Sequence, residues 1–480
     1  MRSRVGLPRG QWMRDRSCVP PGPLLAQPTS EATPASECAR HIQRRALRWM
    51  PPAKENALMQ GTPTSPPAHA AGASLALIAL GALATQARAQ EPPDPYFARQ
   101  TIYPSYDAFV SALTDTASID DAALRDARLD ELFAELRAAG QVPYAQGRDV
   151  AFLYRGPGSS ISFPGDHTGW STSSSSAGAT RLGDSDVWMR AAQLVADSRI
   201  DYKIVRDGAW LLDPLNPLHV WGGFGPNSEL RMPEYAYPMV TVPRPNQPQG
   251  SLSGNILISS SYLGYDVQYR VYTPAGASVG DMPVIYFTDG HEYLEHHLGS
   301  AVVVLDNLIA NRRVPPTLAV FIDPRDPVTG ENKRFQQYVG NVDFADFVAL
   351  ELTSAIDAAY TTDGVPAGRT IVGTSLGGLF SAFLGARHSG RFEHLVIQSP
   401  AFQVWPAIYN IYATNASLPP ALDIYMEAGT VHDGSGGATM QGILAAGGYD
   451  YVFEEVHEGH SWGHWRGKLD DAFVTLLGPP

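Results

Sequence analysis

Gly373-Thr374-Ser375-Leu376-Gly377 is the stretch of this chain best fitted to covalent chemistry. It follows the apolar run Arg369-Thr370-Ile371-Val372 and leads into Leu376, Leu379, Phe380, Phe383 and Leu384, whose spacing is helical. A strand that turns at once into a helix leaves room only for small residues two places before and two after its central serine. Such a turn lifts the hydroxyl above the sheet edge and points the free N–H groups of the next helix at it. The spacing therefore predicts a nucleophile at Ser375. Gly276-Ala277-Ser278-Val279-Gly280 matches the same pattern, but Asp281-Met282-Pro283 and another strand follow it. No helix can start there, so Ser278 reads as a loop residue.

A serine needs a base to take its proton, and the base needs a carboxylate to orient it. In α/β-hydrolases the chain order is Ser, acid, His, with the histidine on a loop after the last strand. Here the strand Tyr451–Val456 is followed by His457-Glu458-Gly459-His460-Ser461-Trp462. Gly459 permits a sharp turn, which makes His460 the expected base. His457 is the alternative, and His464 falls on the following helix. The acid should follow the strand Ile424–Met426, where the chain reads Glu427-Ala428-Gly429-Thr430-Val431-His432-Asp433-Gly434. Asp433 is the expected acid and Glu427 the runner-up, while Asp423 lies on the wrong side of the strand. A tetrahedral intermediate needs oxyanion donors. The expected ones are the N–H of Leu376 and the loop Asp289-Gly290-His291, where Gly290 would let the backbone approach closely.

The histidines raise a metal reading, which their spacing does not support. His457-Glu458-Gly459-His460 falls one residue short of H-E-x-x-H, since Ser461 stands where the second histidine must be. Near His291, His296 and His297, Glu292 stands where H-x-x-E-H needs histidine. The expected chemistry needs no metal and no cofactor.

The elements that must position these residues follow from about residue 255. An antiparallel-looking pair, Ile256–Tyr262 and Asp266–Thr273, leads to short apolar strands at Pro283–Phe287, Leu318–Ile322, Thr370–Val372, His394–Ile397, Ile424–Met426 and Tyr451–Val456. Helical patterns separate most of them, including Asp343–Tyr360 and Ala438–Ala446, and a terminal helix is expected over Trp465–Leu477. The alternation predicts an α/β fold, a mostly parallel sheet with helices on both faces. Upstream, residues 90–145 form a helical lead-in, with apolar positions from Tyr106 to Leu136. Residues 146–241 read as a small β-sandwich of short strands at Val150–Tyr154, Asp186–Met189, Tyr202–Val205 and Ala209–Leu212. Residues 242–254, rich in Pro, Gln and Gly, read as a linker to the catalytic domain at 255–480.

Residues 1–89 read as a leader with a signal peptide, or as a mis-assigned start. Residues 71–84 are an apolar run, and Ala87-Arg88-Ala89 offers a cleavage box. The run is too short to span a bilayer as a mature helix. Residues 1–90 carry 11 Lys+Arg against 4 Asp+Glu, whereas the remainder carries 24 against 44, a net charge of −20. That charge argues against nucleic acid and anionic membrane surfaces as partners. Both cysteines, Cys18 and Cys38, fall in the leader, so a mature chain has no disulfide and no thiolate site. The expected location is periplasmic or secreted.

Further phrases add to the elbow: Tyr286-Phe287-Thr288-Asp289-Gly290-His291-Glu292, Asp306-Asn307-Leu308-Ile309, Phe321-Ile322-Asp323-Pro324, Arg334 with Tyr338 and Asn341, Gln398-Ser399-Pro400, and Gly459-His460 with Trp462, Trp465 and Arg466. With these the chain resembles the enterochelin-esterase-like branch of the esterase D families of α/β-hydrolases over most of residues 145–478. Phe152–Gly156, Gly165-Asp166-His167 with Trp170, and Asp213-Pro214-Leu215-Asn216-Pro217 resemble the family's leading immunoglobulin-like module, which shapes the substrate cleft.

The resemblance implies ester hydrolysis through an acyl-serine, with the base at His460. The family's acid usually stands three residues after the glycine matched by Gly429. That place is His432 here, and the carboxylate comes one later, at Asp433. Arg334, His291 and Trp462 are the candidate substrate-binding residues, the guanidinium of Arg334 being suited to a carboxylate or phenolate. Trp170, Trp188 and Trp210 are expected in core packing. The substrate class is a small-molecule ester: a siderophore lactone, or a feruloyl or acetyl sugar ester. An acyltransferase on the same triad and a non-catalytic ligand-binding protein are the alternative readings.

Overall fold

The computed structural model describes residues 95–223, 225–276 and 281–478. Ser278 and the leader, with Cys18 and Cys38, lie outside them. The N-terminal part opens with two helices, Tyr106–Ala117 and Ala122–Ala138, capped by Ser105 and Asp121. Next come β1 (Tyr144–Gln146), β2 (Asp149–Arg155), β3 (Ile161–Ser162), β4 (Thr180–Arg181) and β5 (Val187–Gln193). They are followed by β6 (Arg199–Tyr202), β7 (Ile204–Arg206), β8 (Ala209–Leu211), β9 (His219–Gly222) and β10 (Gly225–Arg231). These strands form three small sheets, ordered β1-β2-β5-β4, β6-β10-β9 and β3-β7-β8.

Strand β2 is buried on both faces because it sits in the middle of three layers. Phe152 and Tyr154 pack with Ile200, Tyr202, Ile204 and Leu230, while Ala151 and Leu153 pack with Phe109, Leu113, Leu129 and Phe133 of the two helices. The two helices of the helical lead-in therefore form the outer layer of the β-rich region. The strand expected over Tyr202–Val205 is divided between β6 and β7.

The C-terminal part holds β11 (Ser251–Leu252), β12 (Ile256–Ser259), β13 (Asp266–Thr273), β14 (Val284–Phe287) and β15 (Leu318–Asp323). It continues with β16 (Arg369–Thr374), β17 (His394–Gln398), β18 (Asp423–Gly429) and β19 (Asp450–Val456). They make a nine-stranded sheet in the order β11-β13-β15-β14-β16-β17-β18-β19, with β12 also on β13. Pairing is antiparallel from β11 to β15 and parallel from β15 to β19. The stretch expected to be a linker thus contributes β11, with Leu252 opposite Tyr272. Alternate residues feed two cores, as a doubly covered sheet requires. Val284, Tyr286, Ile371 and Leu395 face one, and Ile285, Phe287, Val372 and Val396 face the other.

Two expected helices are subdivided. Asp343–Tyr360 runs as Val342–Asp346, a π-helical stretch Phe347–Leu352, and Thr353–Ala359. The terminal helix begins earlier than expected, as Trp462–Arg466, and resumes as Leu469–Leu477.

The turn from β16 into the helix Leu376–Arg387 is built on absent side chains. Ser375 stands at φ 58°, ψ −116°, a region L-residues rarely adopt. A Cβ on Gly373 would lie 2.2 Å from the backbone of Gly377, and one on Gly377 would lie 2.3 Å from Thr288 Oγ1. Gly373→Ala is expected to lower Tm by roughly 4–10 °C, as overpacking against fixed backbone does. Gly390→Ala, at an exposed position with nothing within 4 Å, is the matched control and should leave Tm unchanged.

A buried ion pair ties the helix Trp462–Arg466 to β18. His464 Nε2 contacts the Glu427 carboxylate, and both side chains are wholly buried. Burial alone would lower the histidine pKa, but the charge and hydrogen bond of Glu427 raise it to about 9. A raised histidine pKa stabilises fully below the unfolded value of about 6.5, and the stabilisation disappears as pH climbs through 9. Thermal melts from pH 6 to 10 should show wild type losing on the order of 3 kcal/mol relative to His464→Gln across that window. A difference that does not change with pH would mean a neutral pair.

Candidate active site

The candidate residues come from the carboxyl ends of neighbouring parallel strands, where α/β folds assemble their sites. Ser375 follows β16, Asp433 lies on the loop after β18, and His460 on the loop after β19. Strands β18 and β19 stay in register to their last residues, Gly429 opposite Val456. Thr430 N–H donates to Val456 O at 2.8 Å and Val431 N–H to Glu458 O at 3.1 Å. These bonds zip the acid loop to the histidine loop.

His460 Nδ1 lies 2.8 Å from Asp433 Oδ1. The Asp433 side chain is 1% exposed and that of His460 33%. Burial alone would raise the Asp433 pKa, but the hydrogen bond and charge of His460 bring it down to about 2. An ionised Asp433 can only accept, so Nδ1 of His460 is the nitrogen that donates to it. The His460 ring also stands edge-on to Trp465, at 4.9 Å between centroids and 89° between planes. Trp465 is itself held by its Nε1–H bond to Ser399 Oγ, at 2.9 Å.

His457, the alternative base, bonds Asp197 at 2.6 Å and has no part in this arrangement. Glu427, the runner-up acid, lies within β18 and is occupied by His464. Gly459 lies outside the left-handed region, so the sharp-turn argument for it does not hold. It is required by close approach, since a Cβ there would lie 2.2 Å from Asp166 Cγ of the β-rich region.

Leu376 opens the helix after the elbow, and Gly290 opens the short helix Gly290–Leu294. The first N–H groups of a helix have no intrahelical acceptor and are free to donate elsewhere. Gly290 has a structural reason as well, because its Cβ would lie 2.3 Å from the backbone carbon of Phe321 in β15. The preceding Asp289 is buried in the left-handed region at φ 49°.

The substrate-binding expectations need revision. Arg334 neither lies free nor forms a surface pair. Its Nε donates to both oxygens of buried Asp289 at 2.8 and 2.9 Å, and its Nη2 to Thr374 O at 3.1 Å. It braces Asp289, the first residue of the Gly290 loop, against Thr374, the residue before Ser375, leaving Nη1 outside these bonds. Trp462 is a core residue at 2% exposure, packed edge-on against Tyr293 and Trp465. The other tryptophan of this helix, Trp465, stands against His460. His291 is half-buried, with Nδ1 3.5 Å from Asp323. Trp188 is in the core as expected, but Trp210 is 45% exposed and stacks on half-buried Trp170 at 6.5 Å. Gly169, beside Trp170, abuts the His432 ring, next to Asp433 in the acid loop.

Sequence reasoning missed the contact of Trp465 with His460, the His464–Glu427 pair and Arg199. For His464 a signal existed, since it follows His460 by four residues at a helix start. Arg199 had none, because the loop it grips stands more than 250 residues away in the chain.

Comparison with known proteins bears on the fold that carries this site. Residues 260–476 match the family described as Putative esterase. The uncharacterized protein YjcH of Bacillus subtilis is 24% identical over 231 residues, covering 45% of this chain and 94% of that protein. The enterobactin esterase of Shigella flexneri, solved in the presence of enterobactin, superposes with a TM-score of 0.56 at 21% identity, over 68% of this chain and 92% of that one. The ferric enterobactin esterase of Salmonella typhimurium gives 0.56 at 20% identity, over 72% and 98%. At such identities the structures speak for the fold, and the family match speaks for the domain within it. Residues 260–476 thus resemble the esterase family, and they are set in an α/β-hydrolase fold shared with the enterobactin esterases.

Proposed function

We propose that the protein is an exported carboxylic ester hydrolase that works through an acyl-serine. The observation that carries the reading is the bond of His460 Nδ1 to the buried Asp433 carboxylate, on loops at the same sheet end as the strained turn of Ser375. In this mechanism Nε2 of His460 takes the Ser375 proton as Oγ attacks the ester carbonyl carbon. The imidazolium so formed is stabilised by Asp433. The carbonyl oxygen becomes an oxyanion, met by the N–H groups of Leu376 and the Gly290 loop. As the intermediate collapses, the C–O bond to the alcohol breaks and His460 returns the proton to the leaving oxygen. Water then repeats the sequence on the acyl-serine, releasing the acid and restoring Ser375. The residues that act are the chain's own, and no cofactor enters.

The substrate class is a small-molecule ester. The structural relatives are named for enterobactin, a fit with a siderophore ester, and feruloyl or acetyl sugar esters belong to the same class. The net charge of −20 outside residues 1–90 favours weakly charged esters over polyanionic ferric catecholates. The apolar run and cleavage box at 71–89 support export.

Treatment of the chain from residue 90 onward with a fluorophosphonate should label Ser375, mapped by peptide mass. A folded protein that takes no label would overturn the hydrolase reading. Ser375→Ala should lose about 10⁴-fold or more in turnover of an ester panel without loss of fold. Asp433→Asn should lose about 10⁴-fold as well, because an amide no longer selects the Nδ1–H tautomer. Near-normal turnover of Asp433→Asn would return the acid role to Glu427. His457→Ala should retain wild-type turnover, and its inactivity would displace His460 as the base.

A further inference from the structure

We propose that Arg199, on β6 of the β-rich region, is a positioning residue that holds the loop His457–Ser461 and with it the base His460. The inference deepens the hydrolase reading and rests on it for the role of His460.

The guanidinium is fully buried, 0% exposed, at the seam between the two parts of the chain. Its Nη1 donates to Ser461 Oγ at 2.9 Å and lies 3.7 Å from Glu458 Oε2. One nitrogen therefore engages the residue after His460 and the residue two before it. Arg199 N–H also donates to His457 O at 3.2 Å, and Arg199 pairs with Glu458 as a parallel bridge. Beneath the loop the guanidinium presses on Gly463, where a Cβ would lie 2.0 Å from Cζ. The remaining nitrogens are anchored behind. Nε donates to Glu229 Oε1 at 2.6 Å, and Nη2 lies 2.8 Å from Asp201 Oδ1. Glu229 is shared with Arg231 at 3.0 Å. On the same side, Asp166 packs on Gly459 and accepts from Asp201 N–H at 2.8 Å.

The energetics point to geometry rather than to stability. A buried ion network recovers its desolvation cost only when its geometry is good, and an apolar replacement is often as stable. A network whose front face grips the loop of the catalytic base gains its value from fixing that loop. Arginine suits the task because its rigid fork binds several acceptors at set angles, which lysine cannot do. The β-rich region would then be part of the catalytic apparatus, not a separable attachment.

The experiment compares wild type, Arg199→Lys and Ser461→Ala in the chain from residue 90 onward. Readouts are Tm, the kcat and KM split on an ester, the rate of fluorophosphonate labelling, and amide exchange of the 457–461 peptide. In folded Arg199→Lys, kcat and labelling rate should fall about 10- to 100-fold with KM within about twofold, the scale of a misplaced catalytic group. Exchange in 457–461 should quicken, and exchange in β14–β16 should not. A kcat and labelling rate within about twofold of wild type would overturn the proposal, whatever the change in Tm. If Arg199→Lys does not fold, Ser461→Ala decides, since it removes one bond of the clamp and leaves Arg199 with its carboxylates. A several-fold fall in kcat supports the clamp, and wild-type kcat refutes it. If wild type itself takes no label at Ser375, the hydrolase reading fails by itself. Arg199 is then judged on amide exchange alone, where an unchanged 457–461 peptide refutes it.

Discussion

The backbone of Ser375 is the constraint on which the rest of the site depends. A non-glycine residue held at φ 58°, ψ −116° costs on the order of 1–3 kcal/mol and persists only where its surroundings leave no alternative. Those surroundings are identifiable. Ser375 N–H donates to Gln398 O of β17, and Ser375 O accepts from Ala401 N–H, both at 2.9 Å. Gly373, Gly377 and Gly378 let the helix, Thr288 and the chain after β17 come within side-chain distance of the turn. Arg334 closes the far side by joining Thr374 O to Asp289. The strained turn is thus held by three strands and a half-buried arginine, and its hydroxyl is raised because the backbone has nowhere else to go.

The second half of the site is held differently. The loop His457–Ser461 has only the single bridge of Glu458 to Arg199 and is otherwise fixed by polar contacts. The acid loop takes the Glu458 carbonyl, buried His464 lies 3.1 Å from the Gly459 carbonyl, and Arg199 reaches in from the β-rich region. Charged groups at zero exposure are costly unless paired. Here the pairs converge on one loop, so the charges serve orientation more than cohesion. The apolar clusters on the two faces of the large sheet provide cohesion without them.

Much of this could be read along the chain wherever the physics is local. The elbow was legible because strand, tight turn and helix are contiguous, so Gly373, Ser375 and Leu376 carry their context with them. His460 and Asp433 were legible as positions on loops after the last strands. Trp462 misled because a tryptophan in a loop phrase looks the same whether it lines a cleft or fills a core. The linker misled because Ser251-Leu252 is too short to show a period, and only the exposed edge of β13 makes it a strand. Arg334 was read as a substrate anchor at the strand ends, and its partner, Asp289, was not legible.

What the sequence alone determined is the place and order of the candidate groups: serine, carboxylate, histidine, at the ends of strands in an alternating α/β pattern. Periodicity and turn sterics act over a few residues, so they survive in one dimension. What only the tertiary structure decided is which groups face one another across long gaps. It gave Asp433 to His460, Glu427 to His464, and Arg199 to a loop more than 250 residues away. Those choices follow from burial, which makes every enclosed charge find a partner, and a partner's place in the chain has no bearing on its place in space.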